Sequence, residues 1–408
     1  SKNMKKKIIL AFSGGLDTSF CVLYLKEQGF DVVTLTVDTG GFTKEEIKQI
    51  TSQSTKTGAG KHILVDGKKE LYEKIISYLI KGNVLRGGVY PLCAGPERLV
   101  IAEKLVEIAK KEKAVAVAHG STGAGNDQVR FDVALKVLAP NIQIITPIRD
   151  LGITREEELK VLEKNNIPVS KETKTYSINK GIIGNTLGGK ETKTSWETLP
   201  EESYPTVSPI NKTPTEGIEL TISFKQGLPT KINGKNMSGI SILKELNKLG
   251  ATHGVGKGIH LGNTILGIKG RVGFETPAMH ILIKAHIELE KLVLSKWQLF
   301  WKQTLCEVYG NFLHEALFFD PLMKDIEKFI DSSQKVVTGD VKVKLQLGNI
   351  FIQGYESPYS LMNPKVATYG EEHLLWNGKE AAAFGKLYGL QSVLASNAKK
   401  IGDAHEKI

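Results

Sequence analysis

The residues best suited to chemistry lie near the start of the chain, in Ser13-Gly14-Gly15-Leu16-Asp17-Thr18-Ser19. Two adjacent glycines let the backbone turn sharply and meet a ligand with no Cβ in the way. Hydroxyls at Ser13, Thr18 and Ser19 and the carboxylate of Asp17 surround them. Apolar residues precede the loop (Ile8-Ile9-Leu10-Ala11-Phe12) and follow it (Phe20 to Leu25). The segment therefore reads as strand, glycine turn and helix, with Asp17 or Thr18 near the N-cap. A helix start offers free N–H groups and a partial positive charge, and a phosphate chain suits that end. The loop has neither the Gly-Lys-[Ser/Thr] ending of a Walker A motif nor the G-x-G-x-x-G of a dinucleotide fingerprint. The alternative is a strand-to-helix turn that simply needs two glycines.

A second constellation is His119-Gly120-Ser121-Thr122-Gly123-Ala124-Gly125-Asn126-Asp127-Gln128-Val129-Arg130-Phe131. Its glycines allow close backbone approach. Thr122 and Asn126 offer neutral hydrogen bonds, Asp127 a carboxylate and Arg130 a planar cation. Such a loop can hold a zwitterionic amino acid, with Asp127 for the ammonium and Arg130 for a carboxylate or phosphate. A solvated glycine turn with a helix cap at Asn126 or Asp127 is the other reading. His119 reads either as a base or as a structural histidine at a strand end.

These loops must be positioned by the elements around them. Over residues 5–167, strand and helix patterns alternate: strands near 8–12, 32–37, 62–65, 114–118 and 143–146, helices near 45–57, 71–80, 97–111 and 155–165. Alternation of this kind predicts an α/β domain, a doubly wound parallel sheet with helices on both faces. Ligands of such sheets bind beyond the carboxyl ends of the strands. From about residue 168 the pattern is α+β, with hairpins over 218–232 and 341–353 and helices near 240–249, 281–294, 296–313 and 321–332. Residues 379–390 read as a helix in the tail, either docked on a second subunit or loosely packed. The expected domains are 1–167, 168–360 and 361–408.

The chain has 408 residues, 41% of them hydrophobic, and a net charge of +10. No apolar run approaches the ~18 residues of a membrane span, and the lysine-rich start runs into a strand pattern instead of a signal peptide. Ser1-Lys2-Asn3, ahead of Met4, read as residues added to the chain. Cys21, Cys93 and Cys306 are too few and too dispersed for a metal site or a disulfide framework. The lysines are scattered, so the charge reads as a solvated surface that attracts anionic substrates, not as a nucleic-acid interface. A cytoplasmic location fits.

The Ser13–Ser19 order resembles the pyrophosphate loop of the N-type ATP pyrophosphatases, which split ATP between the α- and β-phosphates. The 119–131 segment closely resembles the aspartate-binding segment of the argininosuccinate synthase family. Further matches follow in the same order: Tyr90-Pro91-Leu92, residues 101–109, Pro147-Ile148-Arg149, Tyr176-Ser177-Ile178, His253-Gly254-Val255-Gly256, residues 267–271, Phe274-Glu275-Thr276-Pro277, Gln334, Thr338-Gly339 and Glu356-Ser357-Pro358. The resemblance implies a nucleotide-binding domain, a synthetase domain for citrulline and aspartate, and an oligomerisation tail. It implies a ligase that makes argininosuccinate through citrullyl-AMP, releasing AMP and pyrophosphate, with ATP as substrate, Mg²⁺ as cofactor, and a homotetramer that uses neither membrane nor nucleic acid. It assigns ATP contacts to Ala11, Phe12, Ser13, Gly14, Gly15, Leu16, Asp17, Thr18, Ser19, Val37 and Gly120, with Asp17 the candidate Mg²⁺ ligand. Thr122, Asn126 and Asp127 match aspartate contacts. Tyr90, Asn126, Arg130, Ser177 and Thr186 match citrulline contacts.

This chain departs from the family where citrulline is held. Gly262 stands in place of a glutamate, Phe274 of a tyrosine, Gly95 of a serine and Thr186 of a serine. Either His260, Asn263 or a water takes over, or citrulline is held differently. The rival readings are a pyrophosphate-loop enzyme that adenylates a tRNA base, and a non-catalytic nucleotide- or amino-acid-binding homologue.

Overall fold

The computed structural model describes residues 5–169, 175–371 and 375–406; Ser1-Lys2-Asn3, read above as added residues, lie outside them. The chain divides into two compact units, Ser1–Tyr359 and Ser360–Ile408.

The first unit begins with β1 (Lys7–Ala11), α1 (Leu16–Glu27), β2 (Asp31–Asp38), α2 (Lys44–Lys56) and β3 (Lys61–Asp66). Next come α3 (Lys68–Leu71), a π-helical turn over Tyr72–Ile76, and α4 (Ser77–Lys81), which keep helical backbone throughout where a plain helix over 71–80 is expected. They are followed by α5 (Glu97–Glu112), β4 (Ala116–Ala118), α6 (Asp127–Leu138), β5 (Gln143–Ile145), α7 (Pro147–Leu151) and α8 (Arg155–Lys164). The five strands form one parallel sheet in the order β3-β2-β1-β4-β5. Ile8, Ile9 and Leu10 of β1 are all fully buried, because a central parallel strand is covered on both faces and shows no polar alternation. Ile8 and Leu10 join the core of Phe20, Val22 and Leu25 from α1; Ile9 joins that of Leu99, Ala102 and Leu105 from α5. The strand order reverses between β1 and β4, which puts the crevice at their carboxyl ends.

The remainder of this unit comprises β6 (Ser177–Lys180), β7 (Asn185–Gly188), β8 (Ile218–Lys225), β9 (Leu228–Ile232), β10 (Lys235–Asn236), α9 (Gly239–Thr252), β11 (Lys257–Asn263), β12 (Lys269–Glu275), α10 (Pro277–Val293), α11 (Lys296–His314), α12 (Pro321–Gln334), β13 (Gly339–Gln346) and β14 (Asn349–Glu356). Both expected hairpins form. They join in the antiparallel sheet β10-β9-β8-β13-β14, while β11-β12-β7-β6 make another antiparallel sheet. That last sheet is not among the sequence-based expectations. β7, β11 and β12 each carry glycine, and β6 is exposed along its length.

The second unit holds α13 (Gly378–Tyr388) and α14 (Leu390–His405), so the single helix expected over 379–390 is two helices joined at Gly389. Phe384, Leu387, Leu390, Val393, Leu394 and Ile401 are exposed on them. The three cysteines are free and buried, as small hydrophobes would be.

Candidate active site

β1 delivers the Ser13–Ser19 loop to the crevice, and α1 starts at Leu16 with Gly15 as its N-cap. This corrects the expected cap at Asp17 or Thr18: no side chain caps this helix, and Asp17 sits inside its first turn. The donors of that turn thus face outward unclaimed by a cap, in the positive field of the helix end. Thr18 instead braces the loop, accepting from the Ser13 backbone N–H at 3.3 Å. Ser19 is buried and accepts from Gln53 Nε2 of α2 at 3.2 Å. Ala11 and Val37 lie at the ends of adjacent strands, and Phe12 accepts a bond from Thr36 Oγ1 at 2.7 Å. Beneath the loop, burial and then the Asp17 carboxylate push Glu158 of α8 up to about 8. That environment favours the protonated form of Glu158.

The loop after β4 meets this helix start. A Cβ on Gly120 would stand 3.3 Å from Thr18 Cγ2 and 3.6 Å from Asp17 Cβ. Gln128, buried on α6, bonds the carbonyls of Gly123 and Gly125 and shapes the glycine turn. Arg149 bonds Gln128 at 3.1 Å and Asp132 at 2.7 Å, and Asp132 also takes His119 Nε2 at 3.0 Å. His119 is buried and stacked on Phe131, which favours the structural reading. Asn126 precedes α6 without capping it; its Oδ1 accepts from Ile265 N at 2.9 Å and pins the β11–β12 turn to this loop. Thr122 is exposed. Asp127 accepts from Arg98 Nε and Arg130 Nη1, each at 3.1 Å. Burial alone would raise its carboxyl, but the two guanidiniums outweigh that and hold it below the usual carboxylate range. Arg130 is buried and also donates to the His314 carbonyl from Nε and Nη2.

The β11-β12-β7-β6 sheet gathers the remaining candidates on one face. Thr186 pairs with Phe274 on one side and Asn179 on the other, and Gly258 pairs with Phe274. Since alternate residues share a face, Ser177, Thr186, Phe274, His260 and Gly262 all belong to it. Tyr90 packs there, its ring stacked on His260 at 5.2 Å and tilted on Phe274 at 5.5 Å. Phe274 is buried between Tyr90, His280 and Gly258, so its ring serves as packing. Thr186 is buried and Ser177 exposed. At Gly95, a Cβ would run into the Arg130 guanidinium, which fills the room a serine would need.

His314 links these parts. Its Nε2 donates to the Asn263 carbonyl at 2.9 Å, and its Nδ1 accepts from Arg130 Nη2 at 3.2 Å. Burial, then Arg86, lowers it from 6.5 to about 4. The fold thus favours the neutral ring. Its contribution to stability is complete above pH 6.5 and fades as the pH falls toward 4. Thermal unfolding across this window is expected to show that loss, with a shallower slope in His314→Asn; parallel curves would remove His314 from the effect.

Sequence reasoning missed Arg98, Glu158, Arg86 and His314. Arg86 lies just before Tyr90, Arg98, Glu158 and His314 come from other segments, and none carries a motif. Only Glu158, an acid on the apolar side of its helix beside Leu162, leaves a trace in the periodicity.

Two family models match: the Arginosuccinate synthase N-terminal HUP domain over residues 7–168 and the Arginosuccinate synthase C-terminal domain over residues 176–395. An argininosuccinate synthase of Methanocaldococcus jannaschii is 39% identical over 97% of this chain and 100% of its own length. One from Pyrococcus furiosus is 40% identical over 96% of this chain and 94% of its own, and one from Staphylococcus saprophyticus 38% over 96% and 98%. With both domains matched and near-complete coverage, the chain belongs to the argininosuccinate synthase family of ligases.

Proposed function

We propose that this chain condenses citrulline with aspartate, using ATP and releasing AMP and pyrophosphate. The observation that carries the reading is the uncapped start of α1, set against Gly120 at the switch point between β1 and β4. A urea oxygen is a poor nucleophile, so rate must come from positioning and from stabilising phosphate charge. The loop of Ser13, Gly14, Gly15 and Thr18, with the first N–H groups of α1, receives the β- and γ-phosphates, and Ala11, Phe12, Leu16, Ser19 and Val37 complete the ATP side. Asp17 is a hard carboxylate donor beside that loop, the kind Mg²⁺ takes together with phosphate oxygens; the ion would neutralise charge on the leaving pyrophosphate.

The ureido oxygen of citrulline attacks the α-phosphorus, and the bond to the β-phosphate oxygen breaks. Aspartate's amine then attacks the ureido carbon. The carbon–oxygen bond breaks, AMP leaves with that oxygen, and the amine loses a proton. Thr122, Asn126 and Asp127 hold aspartate; Tyr90, Asn126, Arg130, Ser177 and Thr186 border the citrulline side. The chain works in the cytoplasm as a homotetramer, the apolar residues of α13 and α14 packing on other copies, with domain boundaries at 167/168 and 360/361. No helix among the described residues is long and apolar enough to cross a membrane.

Citrulline labelled with ¹⁸O in its ureido group is expected to yield labelled AMP, one atom per argininosuccinate, by mass spectrometry. ADP as product, or unlabelled AMP formed beside argininosuccinate, would overturn the mechanism. A tRNA substrate that released AMP when citrulline did not would favour the base-adenylating rival.

A further inference from the structure

We infer that Arg86 and His260, set around Tyr90, form a carboxylate-binding subsite that reads the far end of the ureido acceptor, so that the chain selects its acceptor by a carboxylate and not by an ammonium group. The inference rests on the ligase reading above.

Arg86 opens a tight turn that closes on Tyr90, with Arg86 N–H to Tyr90 O at 2.7 Å and Tyr90 N–H to Arg86 O at 3.0 Å. Its backbone is thus fixed against that of Tyr90. The guanidinium is half-buried, and among the described residues it makes no hydrogen bond or ion pair. Half-burying a cation without a partner is costly, and a ligand anion supplies what the fold leaves out.

His260 is the second unsatisfied group. Only 8% exposed, it stacks on Tyr90, and its buried Nε2 has no hydrogen-bond partner. Glycines clear its space from two sides. A Cβ on Gly87 would stand 3.1 Å from its Cε1, and one on Gly262 would press on Nε2. The imidazole therefore occupies the room that a larger residue at 262 would take. Burial, then Arg86, holds the ring below its usual range, so it is a neutral hydrogen-bonding group at pH 7.

The charge balance sets the ligand's sign. Arg86, Arg130, His260 and His314 act on one another electrostatically. Arg130 is neutralised by Asp127, whose other oxygen serves Arg98. Glu97 is tied to Arg98 and the Gly95 N–H, and Glu275 to Asn185, Thr206 and Val207. Glu315 acts on Arg86 only beyond ion-pair range and is exposed. The uncommitted charge is the Arg86 guanidinium, whose planar fork matches a carboxylate. An ammonium group in its place would meet repulsion.

The test compares L-citrulline, δ-ureidovaleric acid (no ammonium) and citrullinamide (no carboxylate) by pyrophosphate release in the parent, Arg86→Met, Arg86→Lys and His260→Asn. Removing the ammonium is expected to leave kcat/KM within about threefold, and removing the carboxylate to lower it about tenfold to a hundredfold, the worth of one charge-assisted hydrogen bond. In Arg86→Met citrulline should fall to the level of its amide with the KM for ATP unchanged; Arg86→Lys should recover part of the loss, and His260→Asn should narrow the acid-to-amide ratio. Equal use of acid and amide by the parent, or an unaltered ratio in Arg86→Met, overturns the subsite while leaving the ligase reading standing. If none of these acceptors releases pyrophosphate, the ligase reading falls and calorimetry decides the subsite. Binding of δ-ureidovaleric acid that weakens about tenfold in Arg86→Met supports it, and absence of binding to the parent overturns it.

Discussion

Gly15→Ala is expected to lower kcat/KM on the order of a hundredfold or more, because a misplacement of about 1 Å at a reacting group costs that much, while the unfolding temperature stays close to that of the parent. Gly15 has φ −82 and ψ −173, a conformation any residue adopts. The nearest atom to an added Cβ is Ser13 Oγ at 3.6 Å, so the protein itself has room for it. That room is the space in which the phosphates would lie. Replacing a glycine N-cap by alanine changes helix stability by no more than about 1 kcal/mol. Gly14 behaves differently. Its φ is +76, and a Cβ there would stand 3.2 Å from Ile50 of α2, so Gly14→Ala strains the fold as well as the site. Circular dichroism melting beside steady-state pyrophosphate release separates the two. A Gly15→Ala enzyme with a near-normal rate would end the phosphate-cradle reading.

Lys302→Met is expected to destabilise the protein on the order of 3–5 kcal/mol, the penalty for leaving a buried charge without its partner. Lys302 of α11 and Glu290 of α10 are each only 2% exposed. The Lys302 Nζ lies 3.0 Å from Glu290 Oε2 and 3.2 Å from Oε1. Glu290 also takes hydrogen bonds from Gln334 of α12 and from Asn83, beyond the end of α4. Three segments therefore converge on one carboxylate of α10. Burial alone would raise the Glu290 carboxyl, but His286 and Lys302 bring it below its ordinary value. Methionine fills the lysine's volume and leaves that charge stranded. The double variant Lys302→Met/Glu290→Gln should recover much of the loss, since the amide needs no counter-charge. Unfolding midpoints in urea test both; a single variant as stable as the parent would show that the pair contributes nothing net. The KM for ATP should not change, because every partner of the pair lies on α10, α11, α12 or at Asn83, none of which contributes to the Ser13–Ser19 loop.

The features legible in the sequence are the ones written in local periodicity and loop chemistry. The apolar run Ile8-Ile9-Leu10 with Gly14-Gly15 behind it predicts a buried strand and a tight turn, and the alternation over residues 5–167 predicts a parallel sheet. Tight turns and periodic burial depend on neighbours a few residues apart, so a linear reading finds them. Tertiary structure alone decided the rest. The sheet that carries Ser177, Thr186, His260 and Phe274 pairs β7 with β12, some 90 residues along the chain, as in the bond from Asn185 to Glu275. Its strands interleave glycine and polar residues with few apolar ones, and no hydrophobic period marks them. The partners of Asp127, the burial of Glu158 near Asp17 and the stacking of Tyr90 on His260 have the same cause. An ion pair or a stranded polar group depends on distance in space and on how much water the fold excludes, and neither quantity exists until the segments pack.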